Sequence, residues 1–204
     1  QCALLLEGSL ETEVLHGALQ TIVDRHEILR TTFQQLPGLS VPLQVIGASY
    51  APSWRNVDLS DLNPQAQAAR LEEEFQRQGE QPFDVTQGPL LRLSLLTLSA
   101  AEHVLLICLP ALSADAWTLK NLVQEITRCY TSAGHGAESA DDVTTYLQFS
   151  EWQNELVEAE DETAAAGIAY WRKQNLTSAP APALPFENQI APDTAFAPAT
   201  LTLH

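Results

Sequence analysis

Hydrophobic and polar positions along this chain change period several times, and each change marks an element. Ala3-Leu4-Leu5-Leu6 is a short apolar run closed by Gly8, which predicts a buried strand. Ser9 stands as a candidate N-cap, with Glu11 and Glu13 placed well for a helix dipole. Leu15, Ala18, Leu19, Ile22 and Val23 recur at i, i+3, i+4 and i+7, the spacing of an amphipathic helix that ends near Glu27. Residues 28–33 are β-branched and aromatic enough to read as a strand. Pro37-Gly38 marks a turn, and residues 41–46 read as a second short strand. Residues 54–59 predict an edge strand. Asp61 or Asn63 is placed to cap the next helix, Pro64 suits its first turn, and the helix runs to about Gln78. Its residues are mostly polar, with Leu71 and Phe75 as a thin apolar face, so the pattern predicts a solvated surface helix.

The second half is more apolar. Pro82-Phe83-Asp84 and Gly88-Pro89 bracket a loop. Over residues 90–98, Leu91, Leu93 and Leu95 alternate with Arg92 and Ser94, as in a strand. A turn at 99–102 returns the chain as a second strand, 103–109, so the two form a hairpin. Val104-Leu105-Leu106-Ile107 is apolar on both faces, which predicts a central strand covered on both sides. Trp117, Leu119, Leu122, Val123, Ile126 and Tyr130 then have helical spacing. A polar loop follows at 134–142. Tyr146, Phe149, Trp152 and Leu156 suggest a further helix, and residues 164–174 continue helically. The acidic stretch Glu155, Glu158, Glu160, Asp161 and Glu162 reads as a solvated face. Residues 177–198 shift to Pro, Ala and polar residues and read as an extended linker, and 200–204 as a strand just beginning. The sum is an α/β chain with helices around a sheet.

Composition narrows the function. Hydrophobic residues make up 45% of the 204, ample for a core, and no run approaches a membrane span. A net charge of −16, with Lys120 and Lys173 as the only lysines, argues against nucleic acid, because phosphate neutralisation needs clustered cations. The three cysteines (Cys2, Cys108, Cys129) are odd in number and lack framework spacing, so free thiols in a reducing, cytoplasmic compartment are expected. No signal peptide shows. Methionine is absent, which predicts a piece of a longer or processed protein.

The place to look for chemistry is the stretch from Cys108 to Trp117, where a strand end feeds a helix start and offers free N–H groups. It is nearly bare: one hydroxyl, Ser113, and one carboxylate, Asp115, among Pro, Ala and Leu. Ser113 reads as an N-cap rather than a nucleophile, since no His lies near it in sequence. Asp115 reads as a helix-start carboxylate. Cys108 reads as core.

Several stretches in order resemble one family. Arg25-His26-Glu27-Ile28-Leu29-Arg30-Thr31-Thr32-Phe33 is similar to the RHExLRTxF motif of condensation domains of nonribosomal peptide synthetases. Gln81-Pro82-Phe83-Asp84 through Gly88-Pro89-Leu90-Leu91-Arg92 is similar to their PFDxxxGPLLR segment. Residues 146–153, YLQFSEWQ, resemble YxDFAxWQ, and Tyr170-Trp171-Arg172 resembles the YW that closes the next helix. The resemblance implies an α+β sandwich like a chloramphenicol acetyltransferase lobe, with a central mixed sheet flanked by helices. Residues 1–176 would be the N-terminal lobe of a condensation-like domain, and 177–204 a linker and first strand leading to a C-terminal lobe that the sequence lacks. Members pair two such lobes around a tunnel. The resemblance implies carrier proteins as partners, each presenting a phosphopantetheine arm, with no cofactor bound directly. It also implies an adjacent adenylation domain, and in some members a tailoring enzyme recruited in trans; no nucleic acid or membrane partner is expected.

The family's active-site motif is HHxxxDG. Aligned here it reads Pro110-Ala111-Leu112-Ser113-Ala114-Asp115-Ala116. Both histidines are replaced, by Pro110 and Ala111, and the glycine by Ala116; Asp115 is kept. The second histidine is the family's candidate base or positioning group, and a positioned base is worth roughly 10²–10⁴-fold in rate. His103 cannot substitute: eight residues up a strand at ~3.3 Å each, it lies roughly 26 Å away. His16 and His26 belong to the first helix and His135 to a loop. By resemblance, Asp115 is structural and bridges to an arginine. Arg30 is the preferred partner and Arg25 the alternative, since Arg25 sits at a helix end and faces water. His26 is expected as a satisfied structural histidine.

Overall fold

The two-faced apolar run at 104–107 becomes the inner strand β6 (Glu102–Cys108) of a four-stranded sheet. Its neighbours are β1 (Cys2–Glu7) and β5 (Arg92–Ser99), both antiparallel to it, and β4 (Ser53–Asp58) pairs parallel with β5 at the far edge. The sheet order is therefore β1-β6-β5-β4, a mixed sheet of the kind expected. The computed structural model describes residues 1–132, 144–159 and 162–174. It forms two units, Gln1–Trp152 and Gln153–His204. The predicted loop at 134–142, the linker at 177–198 and the strand at 200–204 lie outside the described residues.

Helices cover both faces of the sheet, which is why β6 carries no polar alternation. On one face, α1 (Thr12–Arg25) and α3 (Ala116–Ser132) bury Leu15, Leu19, Ile22, Leu122 and Ile126 against Leu93, Leu105 and Ile107. On the other, α2 (Pro64–Glu80) packs Leu71 and Phe75 against Leu96, Val104 and Leu106. A separate two-stranded sheet joins β2 (Thr31–Gln34) to β3 (Leu43–Ile46).

Two expectations are corrected here. Ser9 does not cap α1: the helix starts at Thr12 with Glu11 in the cap position, and the Glu11 N–H donates to the Tyr130 hydroxyl at 2.9 Å. Residues 28–30 are not a strand. Glu27–Arg30 is a short 3-10 turn that sinks Leu29 into the core, and pairing begins only at Thr31. The apolar side chains of that stretch anchor the exit of α1 rather than a ladder.

Helix α2 is a surface helix with Leu71 and Phe75 turned inward, as expected. Asn63 caps it, accepting from the Ala66 N–H at 2.9 Å. Its inward face, however, carries polar groups as well as Leu71 and Phe75. Glu74 is fully buried and Gln78 is 4% exposed. Gln67 Nε2 donates to the carbonyls of Leu59 (3.0 Å) and Leu98 (2.8 Å), and Gln78 Nε2 to that of Arg92 (3.2 Å). Arg55, Arg70 and Arg77 converge on Glu74 at 3.0, 2.7 and 2.6 Å. Gln67 and Gln78 thus satisfy sheet backbone beneath the helix, and Glu74 Oε2 takes the hydrogen bonds of Arg55 and Arg77, while Oε1 has the ion-pair contact with Arg70 but no hydrogen bond.

Beyond the sheet, α4 (Tyr146–Glu158) opens with a capping box. The Thr145 N–H donates to Gln148 Oε1 at 2.8 Å, and the Gln148 N–H to Thr145 Oγ1 at 3.2 Å. Within Gln153–His204, α5 (Glu162–Lys173) ends with the Tyr170 and Trp171 rings edge to face, centroids 5.4 Å apart. Among the described residues, no helix is long and apolar enough to cross a membrane.

Candidate functional site at the end of the central strand

Strand β6 ends at Cys108, and the chain makes one turn, closed by the Ser113 N–H donating to the Pro110 carbonyl at 2.9 Å. Helix α3 starts at Ala116. Its cap is Asp115, not Ser113: the carboxylate accepts from the Thr118 N–H at 2.7 Å and the Thr118 hydroxyl at 2.8 Å. These two donors, the N–H first, hold the Asp115 carboxyl below the usual carboxylate range. Ser113 is instead turned inward, 7% exposed, with no hydrogen-bond partner for its hydroxyl. Ala111 and Leu112 are exposed, and Trp117 stands 69% exposed on the first turn of α3. The arrangement supplies a capped helix start and an apolar rim. Neither Pro110 nor Ala111 has a side chain that can take up a proton.

The expected bridge from Asp115 to Arg30 is not formed. Arg30 Nη1 donates to the Gly47 carbonyl at 2.5 Å, and its ion-pair contact is Glu27 at 3.7 Å. Asp115 instead turns Oδ1 to the N–H and hydroxyl of Thr118 in its own helix, at an exposed position. Arg25 does not face water either: it pairs with Glu125 of α3 at 2.5 Å. His26 Nε2 meets the other oxygen of the same carboxylate at 2.6 Å. Arg25 and His26 thus grip Glu125 and tie the end of α1 to the middle of α3. Sequence reasoning missed Glu125, although it is the one acid on α3 and sits beside the apolar stripe.

The other motif residues are placed by the same logic. Arg92 reaches back along the PFD segment: Nη1 donates to the Gln81 carbonyl at 2.7 Å and Nη2 to the Pro82 carbonyl at 2.5 Å. Its guanidinium lies 3.6 Å from the Phe83 ring centroid, and burial lowers its pKa. Asp84 accepts from the Thr86 hydroxyl (2.6 Å) and N–H (3.0 Å), closing that loop. Residues Tyr146, Leu147 and Ser150 of α4 line a groove of about 350 Å³ together with Glu27, Ile28 and Leu43.

All three cysteines are free thiols. Burial pushes Cys2 and Cys108 up, away from the thiolate a nucleophile needs. His103 sits at the start of β6, opposite Leu6 and Thr97 and at the other end of the strand from the turn. His16 packs its ring edge to face against Trp54 at 4.0 Å. Neither of them, nor His26 on Glu125, stands at the turn; His135 lies outside the described residues.

This lobe, with a mixed sheet whose inner strand ends in the PALSADA turn, is of the condensation-domain type. The family model described as "Condensation domain" matches residues 1–204, and the chain belongs to that family. Chondramide synthase cmdD from Chondromyces crocatus is 34% identical over 172 residues, covering 83% of this chain and 4% of that protein. Among solved structures, SgcC5 from Streptomyces globisporus superposes with a TM-score of 0.72 at 26% identity, over 84% of this chain and 38% of its own. The X-domain in complex with OxyB from teicoplanin biosynthesis superposes with a TM-score of 0.69 at 28% identity, over 84% of this chain and 36% of its own. The chain thus spans well under half the length of the proteins it matches.

Proposed function

We propose that this chain is the N-terminal part of a condensation-like domain in a nonribosomal peptide synthetase or a polyketide–peptide hybrid that forms no amide bond at the usual site. It acts instead in docking carrier proteins or in recruiting a tailoring enzyme. One observation carries the reading: the turn after β6 presents Pro110 and Ala111 where the family places its histidines, and among the described residues no histidine stands at that turn. The capped start of α3 and the Arg25–His26–Glu125 grip keep the lobe's architecture without that chemistry. A relative, the X-domain, is solved in complex with OxyB, which makes recruitment a role this fold can support.

The test supplies the full domain with donor and acceptor carrier proteins bearing aminoacyl thioesters, read by intact-protein mass spectrometry. No condensed product at a normal rate is the expected result. Product at a normal rate would overturn the docking reading and favour catalysis by positioning of the two thioesters alone. Ala111→His is expected to restore measurable condensation if the base is all that was lost. A pull-down with carrier domains and oxygenases encoded beside the synthetase identifies the docked partner.

A further inference from the structure

The unit Gln1–Trp152 carries eight Lys and Arg residues. Six of them are committed internally. Arg25 holds Glu125, and Arg55, Arg70 and Arg77 hold Glu74. Arg30 and Arg92 donate to backbone carbonyls. The two that remain, Lys120 and Arg128, both lie on α3, and among the described residues neither has a carboxylate partner. At 100° per residue, Trp117, Lys120, Gln124 and Arg128 share one side of that helix, spanning about 16 Å. All four are exposed.

That side carries no acid. The single acid between 116 and 132 is Glu125, which points to Arg25 and His26 instead. In a chain of net charge −16, an outward helix face with two free cations and no carboxylate is a local reversal of sign. Its N-terminal end is apolar: Leu112 is 60% exposed and Trp117 69%, with the Lys120 ammonium 5.0 Å from the indole centroid. The exposed Asp115, between Leu112 and Trp117 in the chain, turns Oδ1 to the Thr118 N–H and hydroxyl, and an exposed Trp beside Arg has the makeup of an interface centre rather than of a solvated face.

We propose that the outward face of α3 docks an acidic amphipathic helix of a partner protein. Two carboxylates of that helix meet Lys120 and Arg128, and an apolar residue covers Trp117 and Leu112. Charge complementarity selects the occupant. The strong negative charge of the whole chain opposes a nucleic acid or an anionic membrane, whose charge density is high and extended. A protein helix concentrates a few carboxylates where the two cations stand. The inference rests on the docking reading above and names its surface, which adjoins the turn that lost the histidines.

The test titrates the full chain with a 20-residue helical Glu/Leu peptide, following backbone amide shifts. Shifts are expected to centre on residues 112–128, with affinity falling at least tenfold in Lys120→Glu/Arg128→Glu and in Trp117→Ala. Lys120→Gln/Arg128→Gln is the milder variant and should lose part of the affinity; circular dichroism checks that each variant keeps its fold. Binding that ignores the charge reversal, or equal binding of a Lys/Leu peptide or a 20-nucleotide RNA, would overturn the proposal. A carrier-protein domain gives the second arm. If it binds the native and charge-reversed chains alike, docking stands and the α3 surface falls. If it binds neither while the Glu/Leu peptide keeps its charge-dependent site, the surface stands and carrier docking falls.

Discussion

Glu74 offers the sharpest check on the packing of this lobe, because its carboxylate is completely buried while its partners are not. The Arg55 and Arg77 side chains are each 44% exposed and both bond Oε2, with Arg70 on Oε1. Replacing Arg55 and Arg77 together by Met keeps most of their aliphatic stems. It leaves Oε2 charged, buried and without either donor. A buried pair broken from one side costs about 3–5 kcal/mol, and the half-exposed guanidinium groups screen part of that, leaving about 2–3 kcal/mol. Glu74→Met does the opposite. It removes the buried charge, sets an apolar side chain beside Leu71 and Phe75, and frees three arginines that can turn to water. Its expected cost is within about 1 kcal/mol. The triple variant is then expected to recover most of what the double Arg variant lost, a coupling readable as a mutant cycle. Urea unfolding of the chain measures it, and with slopes of about 1–3 kcal/mol per molar the double variant should shift the midpoint by about 0.7–3 M. If Glu74→Met destabilises more than the double Arg variant, or fails to rescue it, the carboxylate is not held as described.

Two further predictions concern helix starts. Asn63→Ala removes the cap on α2 and should cost about 1 kcal/mol by the same urea assay, with Asn63→Ser retaining most of it. Asp115 should titrate below the ordinary carboxylate value of about 3.9, followed by its side-chain carbon resonances. Because its folded pKa is lowered, the stabilisation it gives α3 is present above that ordinary value and is lost as pH falls through the folded pKa. Thr118→Val, which removes the hydroxyl but keeps the N–H, should raise the titration midpoint without returning it to the ordinary value.

Hydrophobic period alone placed the strands of the main sheet, the hairpin at its centre and the apolar stripes of α1 and α3, since the faces those elements bury are apolar throughout; the order of the strands was not legible from it. It failed where burial is polar. Glu74 and Gln78 fall three and seven residues after Leu71, on the same side as that leucine, but a polar residue scores as outward wherever it stands. The signal that could have placed Glu74 is the set of arginines at 70 and 77, one turn to either side. The bareness of the 110–116 turn was legible residue by residue. The partner of Asp115 was not, because a helix cap is a local contact of three residues whereas an Asp–Arg bridge depends on how distant segments meet. Glu125 was missed for a related reason: its partners lie 99 and 100 residues away in the chain.

The sheet order also sets a schedule for synthesis. The antiparallel pair β5–β6 is joined by a short turn, with Ser99 opposite Glu102, and it can close as soon as both strands leave the ribosome. β1 pairs with the opposite edge of β6, Cys2 against Ile107. It is therefore made first and paired last. At about 5–20 residues per second, roughly 5–20 s separate its emergence from that of its partner. Through that interval Leu4 and Leu6 stand on an unpaired strand, next to a ladder of backbone donors with nothing to bond. The nascent chain must keep that strand away from identical strands on neighbouring ribosomes, and the high negative charge of the finished chain is already partly in place to do so: Glu7, Glu11 and Glu13 follow β1 directly.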